Sequence, residues 1–351
     1  MGVGSCDTYP LPTQEDLEVK RIQRLISTVL AGAGGGVNLP YTLDFSALQD
    51  GALPSAWIAG TWAVASGKAV NTPVLGSELW DANASTFEGS SVYGWTTFGT
   101  NTLQNVANQL VVTYVDNGNG AQEIFRNTKD LSADLTVGQF YRFVFDQKIN
   151  TGSYIAFVDP SGGLGGMSVV LNNTTLQTQT MDFLAGNATG ANVLLQGLGA
   201  GEIVTVDNLS LKQFTRNDLC AILENQQTSD PVVKAGWTLT NGKLGGVCAC
   251  VESLTASLYG LFCYIDGAQL ILEKRVNGTT TRLIRTAITY VAGAEIEIRK
   301  NGTSVMAYYN GSQIGATQTV SDAGIISNKY HGLFGTAGEV SSFSLEPFPG
   351  G

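Results

Sequence analysis

From Tyr41 onward, apolar residues recur at every second position in short runs, and glycine, asparagine and aspartate punctuate those runs. This period matches the alternation of side chains across a pleated strand and not the repeat of a helix. Gly60–Val70 predicts a hairpin turning at Ser66-Gly67, and Gly236–Leu244 a second one turning at Asn241-Gly242. Further strands are expected over 109–115, 139–149, 154–158, 167–171, 202–212, 258–266, 269–275, 294–300, 303–309 and 340–346. Helical patterning is nearly absent between them. Many short strands joined by frequent turns specify an all-β chain of sandwiches or barrels. At 351 residues the chain is too long for one ordinary domain and suits two.

The composition sets which functions such sheets can serve. With 43% hydrophobic residues the chain has ample material for a core, so disorder is not expected. Its net charge is −10 and no Lys/Arg cluster is present. A nucleic-acid partner, which needs a basic face to displace counterions, is therefore not expected. No apolar run reaches the roughly 18 residues that span a bilayer, so membrane insertion is not expected. No basic stretch followed by an apolar one opens the sequence, so no signal peptide is expected. The five cysteines, Cys6, Cys220, Cys248, Cys250 and Cys263, are odd in number and unevenly spaced, unlike a disulfide framework. Cys248 and Cys250 share one face of an apolar strand and read as buried free thiols. Assembly in a reducing cytoplasm follows.

The one helix expected lies near the start. Thr13-Gln14-Glu15-Asp16 has the form of a capping box, and 14–30 carries helical periodicity through Val19, Ile22, Ile26 and Val29. Ala31–Gly36 ends it as a flexible linker. An isolated helix of this length is marginal in water, so its apolar stripe requires a partner. β-Branched residues at both core positions of the heptad favour three or four strands over two. The stripe is thus expected to anchor or oligomerise the protein; the alternative is packing back on its own sandwich.

Residues suited to chemistry are sparse. The single histidine, His331, sits in an apolar run and lacks the partners that a nucleophilic triad or a zinc site requires. Glu295 and Glu297 are the best carboxylate pair, but Arg299-Lys300-Asn301 stands where a third acid would complete a glycosidase strand. Gly162–Gly166 is glycine-rich without the Lys-Ser/Thr pair of a phosphate loop. No catalysis and no required cofactor are expected. The five tryptophans are tested as sugar-stacking platforms, since aromatic faces pack on apolar sugar faces. Trp62 and Trp95 fit core positions; Trp57, Trp80 and Trp237 fit either the rim or the core. Tyr93 and Tyr114 are further candidate contacts.

Three motifs carry a first resemblance. Glu78-Leu79-Trp80 with Phe87-Glu88 and Gly94-Trp95, then Val137–Phe145, then Ile203–Leu211 with its Asp207-Asn208-Leu209, make residues 77–213 resemble a galactose-binding-like jelly roll of the carbohydrate-binding-module type. Here Asp81-Ala82-Asn83 replaces that family's opening Asn-Gly. Tyr264–Leu270 with Leu272-Glu273-Lys274, the block from Gly293 to Gly315, and His331–Phe334 with Phe343 make residues 214–349 resemble the later part of a concanavalin/laminin-G-like sandwich, the first of these being its ligand-face hairpin. The missing front of that sandwich resembles 41–76, through Leu43-Asp44-Phe45, Trp57, Gly60-Thr61-Trp62 and Gly67–Val70. The reading is two β-sandwich domains, the jelly roll inserted into the other, after an N-terminal segment, 1–40, for anchoring.

This arrangement resembles surface proteins of tailed-phage virions, of the decoration, fibre or tail-adhesin type. The resemblance implies a non-catalytic structural protein on the head or tail, a homo-oligomer, preferably a trimer, contacting other capsid or tail proteins and host-surface glycans. It also implies a structural calcium in the jelly roll at Glu88 and Asp207; the alternative is that Glu88 faces solvent and Asp207 caps a turn. The second functional reading is a secreted bacterial carbohydrate-binding protein or a glycoside hydrolase accessory module.

Overall fold

A computed structural model describes residues 39–115, 118–125, 128–159, 167–214, 219–223, 228–240, 243–252, 259–266 and 269–349. The expected helix over 14–30, with Val19, Ile22, Ile26 and Val29, and the 162–166 loop lie outside these residues.

Among the described residues the strands form four antiparallel sheets, paired into two sandwiches. One nine-stranded sheet runs in the order β2 (Gly51–Ala52), β4 (Trp62–Ala65), β5 (Lys68–Asn71), β27 (Glu339–Pro347), β18 (Pro231–Thr238), β23 (Ala294–Asn301), β24 (Ser304–Tyr309) and β25 (Ser312–Thr319), with β1 (Tyr41–Asp44) also on β27. It packs on a seven-stranded sheet ordered β22 (Thr279–Ala287), β21 (Gln269–Val276), β20 (Gly260–Asp266), β19 (Leu244–Val251), β26 (Tyr330–Gly335), β17 (Cys220–Leu223) and β3 (Trp57–Ile58). Strands from 41–71 thus pair directly with strands from 220–347. Between them in sequence lie the jelly-roll sheets. The six-stranded one is β14 (Gln177–Leu184), β11 (Phe140–Ile149), β16 (Ile203–Phe214), β9 (Leu110–Thr113) and β8 (Thr102–Asn105), with β6 (Leu75–Glu78) on β16. The five-stranded one is β13 (Met167–Leu171), β12 (Tyr154–Asp159), β15 (Asn192–Gly197), β10 (Gly118–Ile124) and β7 (Thr96–Thr97).

The turn chemistry accounts for the first hairpin. Ser66 and Gly67 both take positive φ, 52° and 73°, between paired Ala65 and Lys68, the twist that a two-residue hairpin loop requires. At Gly67 a residue other than Gly, Asn or Asp strains the loop.

Burial separates two kinds of strand. In β11, β12, β15 and β24 buried and half-buried positions alternate, as expected when one face meets a core. In β19 every residue is buried, and in β20 all but the last. The cause is a second layer. One face of the seven-stranded sheet packs on the nine-stranded sheet through Val247, Leu261, Cys263 and Leu272. The other face joins the jelly-roll core through Cys248, Phe262, Tyr264, Ile271 and Phe334. Phe140 of β11 lies 5.4 Å from the Phe334 ring, and the Arg275 guanidinium stacks 4.0 Å from Phe262 and 5.0 Å from Phe140. Asp182 of β14, fully buried, binds Arg142 at 2.8 and 2.9 Å and reaches Lys243 at 3.7 Å. Burial pulls the Lys243 ammonium down to about 8, against the opposing pull of Asp182. The two sandwiches are therefore joined by a closely packed, charge-stapled contact.

The buried cysteines and the histidine are structural here. Cys220, Cys248, Cys250 and Cys263 are buried and form no disulfide among the described residues. Burial pushes the Cys250 thiol up to about 12 and raises those of Cys248 and Cys263 as well, so they are protonated and unreactive. His331 accepts from the Cys250 amide at Nδ1 (3.2 Å) and its Nε2 lies 3.0 Å from the Thr228 carbonyl. Both nitrogens are therefore used, in the neutral tautomer. Burial lowers its pKa from 6.5 to about 4. The unfolded chain binds this proton first, so stability falls as pH drops from about 6.5 towards 4, by about 3 kcal/mol. Urea midpoints at pH 7 and 5 check this: the pH-dependent loss is expected to be smaller in His331→Asn than in the unaltered protein.

Candidate ligand-binding face

The face of the seven-stranded sheet turned away from its partner sheet carries the densest cluster of charged groups. Register places them. Tyr264 of β20 lies opposite Ile271, which lies opposite Arg285; Asp266 lies opposite Gln269; Phe262 lies opposite Glu273. Directly paired residues of antiparallel strands share a face. A register shift between Leu272 and Glu273 sets Arg282 against Glu273, the re-aiming of a side chain that a β-bulge produces.

Glu273 organises the cluster. Fully buried, it accepts from Arg275 Nη2 at 2.9 Å and from Tyr264 Oη at 2.9 Å, with Arg282 Nη2 at 3.6 Å. One carboxylate thus compensates two guanidinium groups beneath the jelly roll. Asp266 lies at the margin of this contact. The residue is half-buried, but its Oδ1 is closed from solvent and has no hydrogen-bond partner among the described residues. Burial raises its carboxyl to about 7; Arg282 and Arg285 pull it down and Glu273 pushes it up. Its contribution to stability is therefore lost as pH rises from about 4 towards 7. Gln269, half-buried, accepts from Arg285 Nε, and Arg285 is exposed. Asp266, Gln269 and Arg285 can offer an acid oxygen, an amide and a fork of donors within one strand row and its neighbour. A perturbed acid in such company is a functional-site signal.

The aromatic expectations resolve differently. Trp57, Trp80 and Trp237 are 7, 4 and 0% exposed. Trp57 meets Phe343 edge-on and donates to Tyr41 Oη; Trp80 stacks on Phe143; Trp237 meets Trp62 edge-on. Rings closed on both sides by core present no face to a sugar, which corrects the rim alternative for all three. Tyr114 is also buried. Tyr93 is half-buried, with φ at 50° and its hydroxyl donated to the Glu88 carbonyl. The structure does not bring these four candidates, Trp57, Trp80, Tyr93 and Trp237, to one site.

The calcium expectation fails a fit test. Among the described residues no group of three or more His, Cys, Asp or Glu side chains gathers as a metal site. Asp207 accepts from Gln109 Nε2 and from the Asn208 amide. The carbonyls of Phe87 and Ser91, on either side of exposed Glu88, accept from Asn105 Nδ2 at 2.5 and 2.8 Å. Oxygens that a cation would need are taken by amides, so Glu88 and Asp207 do not fit a structural calcium. The bridge between opening and closing strands is instead Glu78. It accepts from the amides of Leu79, Trp80 and Leu211 and from Ser210 Oγ. Glu78→Ala is expected to lose about 2 kcal/mol of stability, whereas a chelator leaves the melting temperature unchanged. A chelator-induced drop would restore the metal.

Carboxylates in a hydrolytic arrangement are also missing from the pair singled out above. Glu295 and Glu297 stand on one strand, two residues apart. Glu297 is held by Arg299 and buried, and Glu295 lies 3.9 Å from Lys234. They do not oppose one another across a cleft, as the two acids of a glycosidase do. No helix among the described residues is long and apolar enough to cross a membrane.

No family model and no curated protein matches this sequence. Among solved structures the chain is similar to the carbohydrate-binding module CBM66 from Bacillus subtilis, at 13% identity over 39% of this chain and 83% of that one, TM-score 0.28. It is similar to the tandem CBM22 domain of Paenibacillus barcinonensis Xyn10C, at 9% identity over 78% of this chain and 98% of that one, TM-score 0.32. It is also similar to the catalytic domain of an endo-1,3-beta-glucanase (laminarinase) from Thermotoga petrophila, at 6% identity over 88% and 96%, TM-score 0.33. At these TM-scores the likenesses carry no argument about what this chain binds; the all-β sandwich architecture rests on its own sheet order.

Proposed function

We propose that this chain is a non-catalytic glycan-binding protein of a phage particle surface, on head or tail, adhering to host-surface glycans. The observation that supports it most is the Asp266–Gln269–Arg285 margin: a half-buried carboxyl, a half-buried amide and an exposed guanidinium on a sheet packed on both faces. Hydroxyl-rich ligands are recognised by such fixed polar groups set in a firm scaffold. The committed His331, the protonated thiols and the unopposed Glu295 and Glu297 support binding without turnover.

The same proposal places assembly in residues 1–36, with a trimer formed through Val19, Ile22, Ile26 and Val29 and completed by capsid or tail partners. Two measurements test it. The purified full chain is expected to bind glycans in affinity electrophoresis without shortening them; hydrolysis of the bound glycan contradicts it. Deletion of 1–36 is expected to reduce the solution mass and to abolish incorporation into particles; unchanged incorporation removes the anchoring role.

A further inference from the structure

The nine-stranded sheet ends in β25, whose outer side pairs with no other strand among the described residues. Of the strands that end a sheet there, β25 is the longest without a charged residue or a proline. It runs from Ser312 to Thr319, and only Ile314 and Gln318 are less than exposed. Such an edge offers backbone amides and carbonyls to a strand of another chain, and charge or proline is the usual obstacle. Here the obstacle is built differently. Ile314 pairs with Ala307 but Gln318 pairs with Val305, so Gly315, Ala316 and Thr317 stand against Met306 alone. Gly315 takes a φ of 70°, and its backbone lies against Ile284 of β22, the edge strand of the other sheet. Side chains of the same strand fill the bulge. Gln313 Nε2 donates to the Gly315 carbonyl and to Thr317 Oγ1, each at 3.3 Å, and Gln318 Nε2 donates to the Ala316 carbonyl at 2.9 Å.

A partner strand needs a row of backbone groups in one register. The bulge breaks that row at its middle and bends the strand. Two of its carbonyls are already bonded, so pairing would first have to release the Gln313 and Gln318 amides, at the cost of two hydrogen bonds. We propose that the Gly315–Thr317 bulge, with Gln313 and Gln318, is a guard that keeps β25 from pairing with β25 of a second copy. The guard matters most where copies are held close together, because tethering raises the effective concentration of one edge at another. An antiparallel pair of identical edges is self-complementary about a two-fold axis, so this chain is its own first competitor for the edge. The guard is independent of the glycan-binding reading.

The test removes the guard from the full chain and follows mass by sedimentation from low to high micromolar concentration. Deleting Ala316 and Thr317 leaves Gly315 alone against Met306 and keeps the alternation of faces, because two residues are one strand period. The shortened protein is expected to rise with concentration to at least about twice the mass of the unaltered protein. Gln313→Lys in the shortened chain places a charge on the edge and is expected to restore the original mass. The double change Gln313→Thr and Gln318→Thr, in the chain of normal length, frees the two carbonyls and is expected to give a smaller rise. A folded, shortened protein whose mass matches the unaltered one at every concentration overturns the guard. So does a rise that Gln313→Lys leaves in place, since the contact then lies elsewhere. If the shortened chain does not unfold cooperatively in urea, the double change decides: a concentration-dependent rise supports the guard, and an unchanged mass overturns it.

Discussion

Gly246→Ala and Gly332→Ala are each expected to prevent the seven-stranded sheet from forming, at a loss of about 4 kcal/mol or more. A Cβ on Gly246 would sit 2.0 Å from the Cys263 carbonyl oxygen and 2.5 Å from the Tyr264 Cα; one on Gly332 would sit 1.9 Å from the Ala221 carbonyl oxygen. These neighbours are backbone atoms of paired strands, with no rotamer that moves them aside. Both faces of the sheet are packed, so the strands cannot shift without opening two cores. The requirement at these two positions is for space, not for an unusual φ. Gly76→Ala on edge strand β6 is the control, because its nearest neighbour would be 3.4 Å away, and it is expected to leave the urea midpoint within about 0.5 kcal/mol. Soluble, cooperatively unfolding Gly246→Ala and Gly332→Ala proteins would contradict the two-sided packing.

Glu273→Ala is expected to be the most damaging of the side-chain changes, at about 3–5 kcal/mol. The carboxylate is the shared acceptor of Arg275 and Tyr264 and the counter-charge of Arg282. Its removal leaves buried cations under the Phe140 and Phe334 rings, where water cannot replace it. Glu273→Gln keeps an acceptor but not the charge, so an intermediate loss is expected. A second readout separates electrostatics from packing. Glu273 pushes the Asp266 carboxyl up, so either substitution is expected to lower the Asp266 pKa from about 7, followed by carboxyl NMR. An unchanged Asp266 titration in a folded Glu273→Gln protein would show that the cluster is not coupled as described.

The all-β class was legible in the alternation from Tyr41 onward, because strand period is a local property. The unbroken apolar stretch of β19 carried a further signal, burial on both faces, that only a third layer explains. The tryptophans show the limit. An aromatic residue on a strand reads the same whether its ring meets solvent or a second sheet, and the stacking of sheets decided Trp57, Trp80 and Trp237. The hairpin holding Asp266, Gln269 and Glu273 was legible as two adjoining strand runs, 258–266 and 269–275. Arg282 and Arg285 were not, since a register shift in β22 selects which of its residues meet that face. Glu78 was equally hidden: its importance comes from amides on β16, distant in sequence.

The central claim is that glycan is bound at the margin of the seven-stranded sheet that carries Asp266, Gln269 and Arg285, and not by the jelly roll. Hydrogen–deuterium exchange of the full chain, with and without a saturating concentration of the glycan that binds in affinity electrophoresis, tests it most directly. Slowed exchange is predicted at amides of β20 to β22, centred on 264–287, with the 81–95 region of the jelly roll unchanged. Protection confined to 81–95, with none over 264–287, would contradict the account.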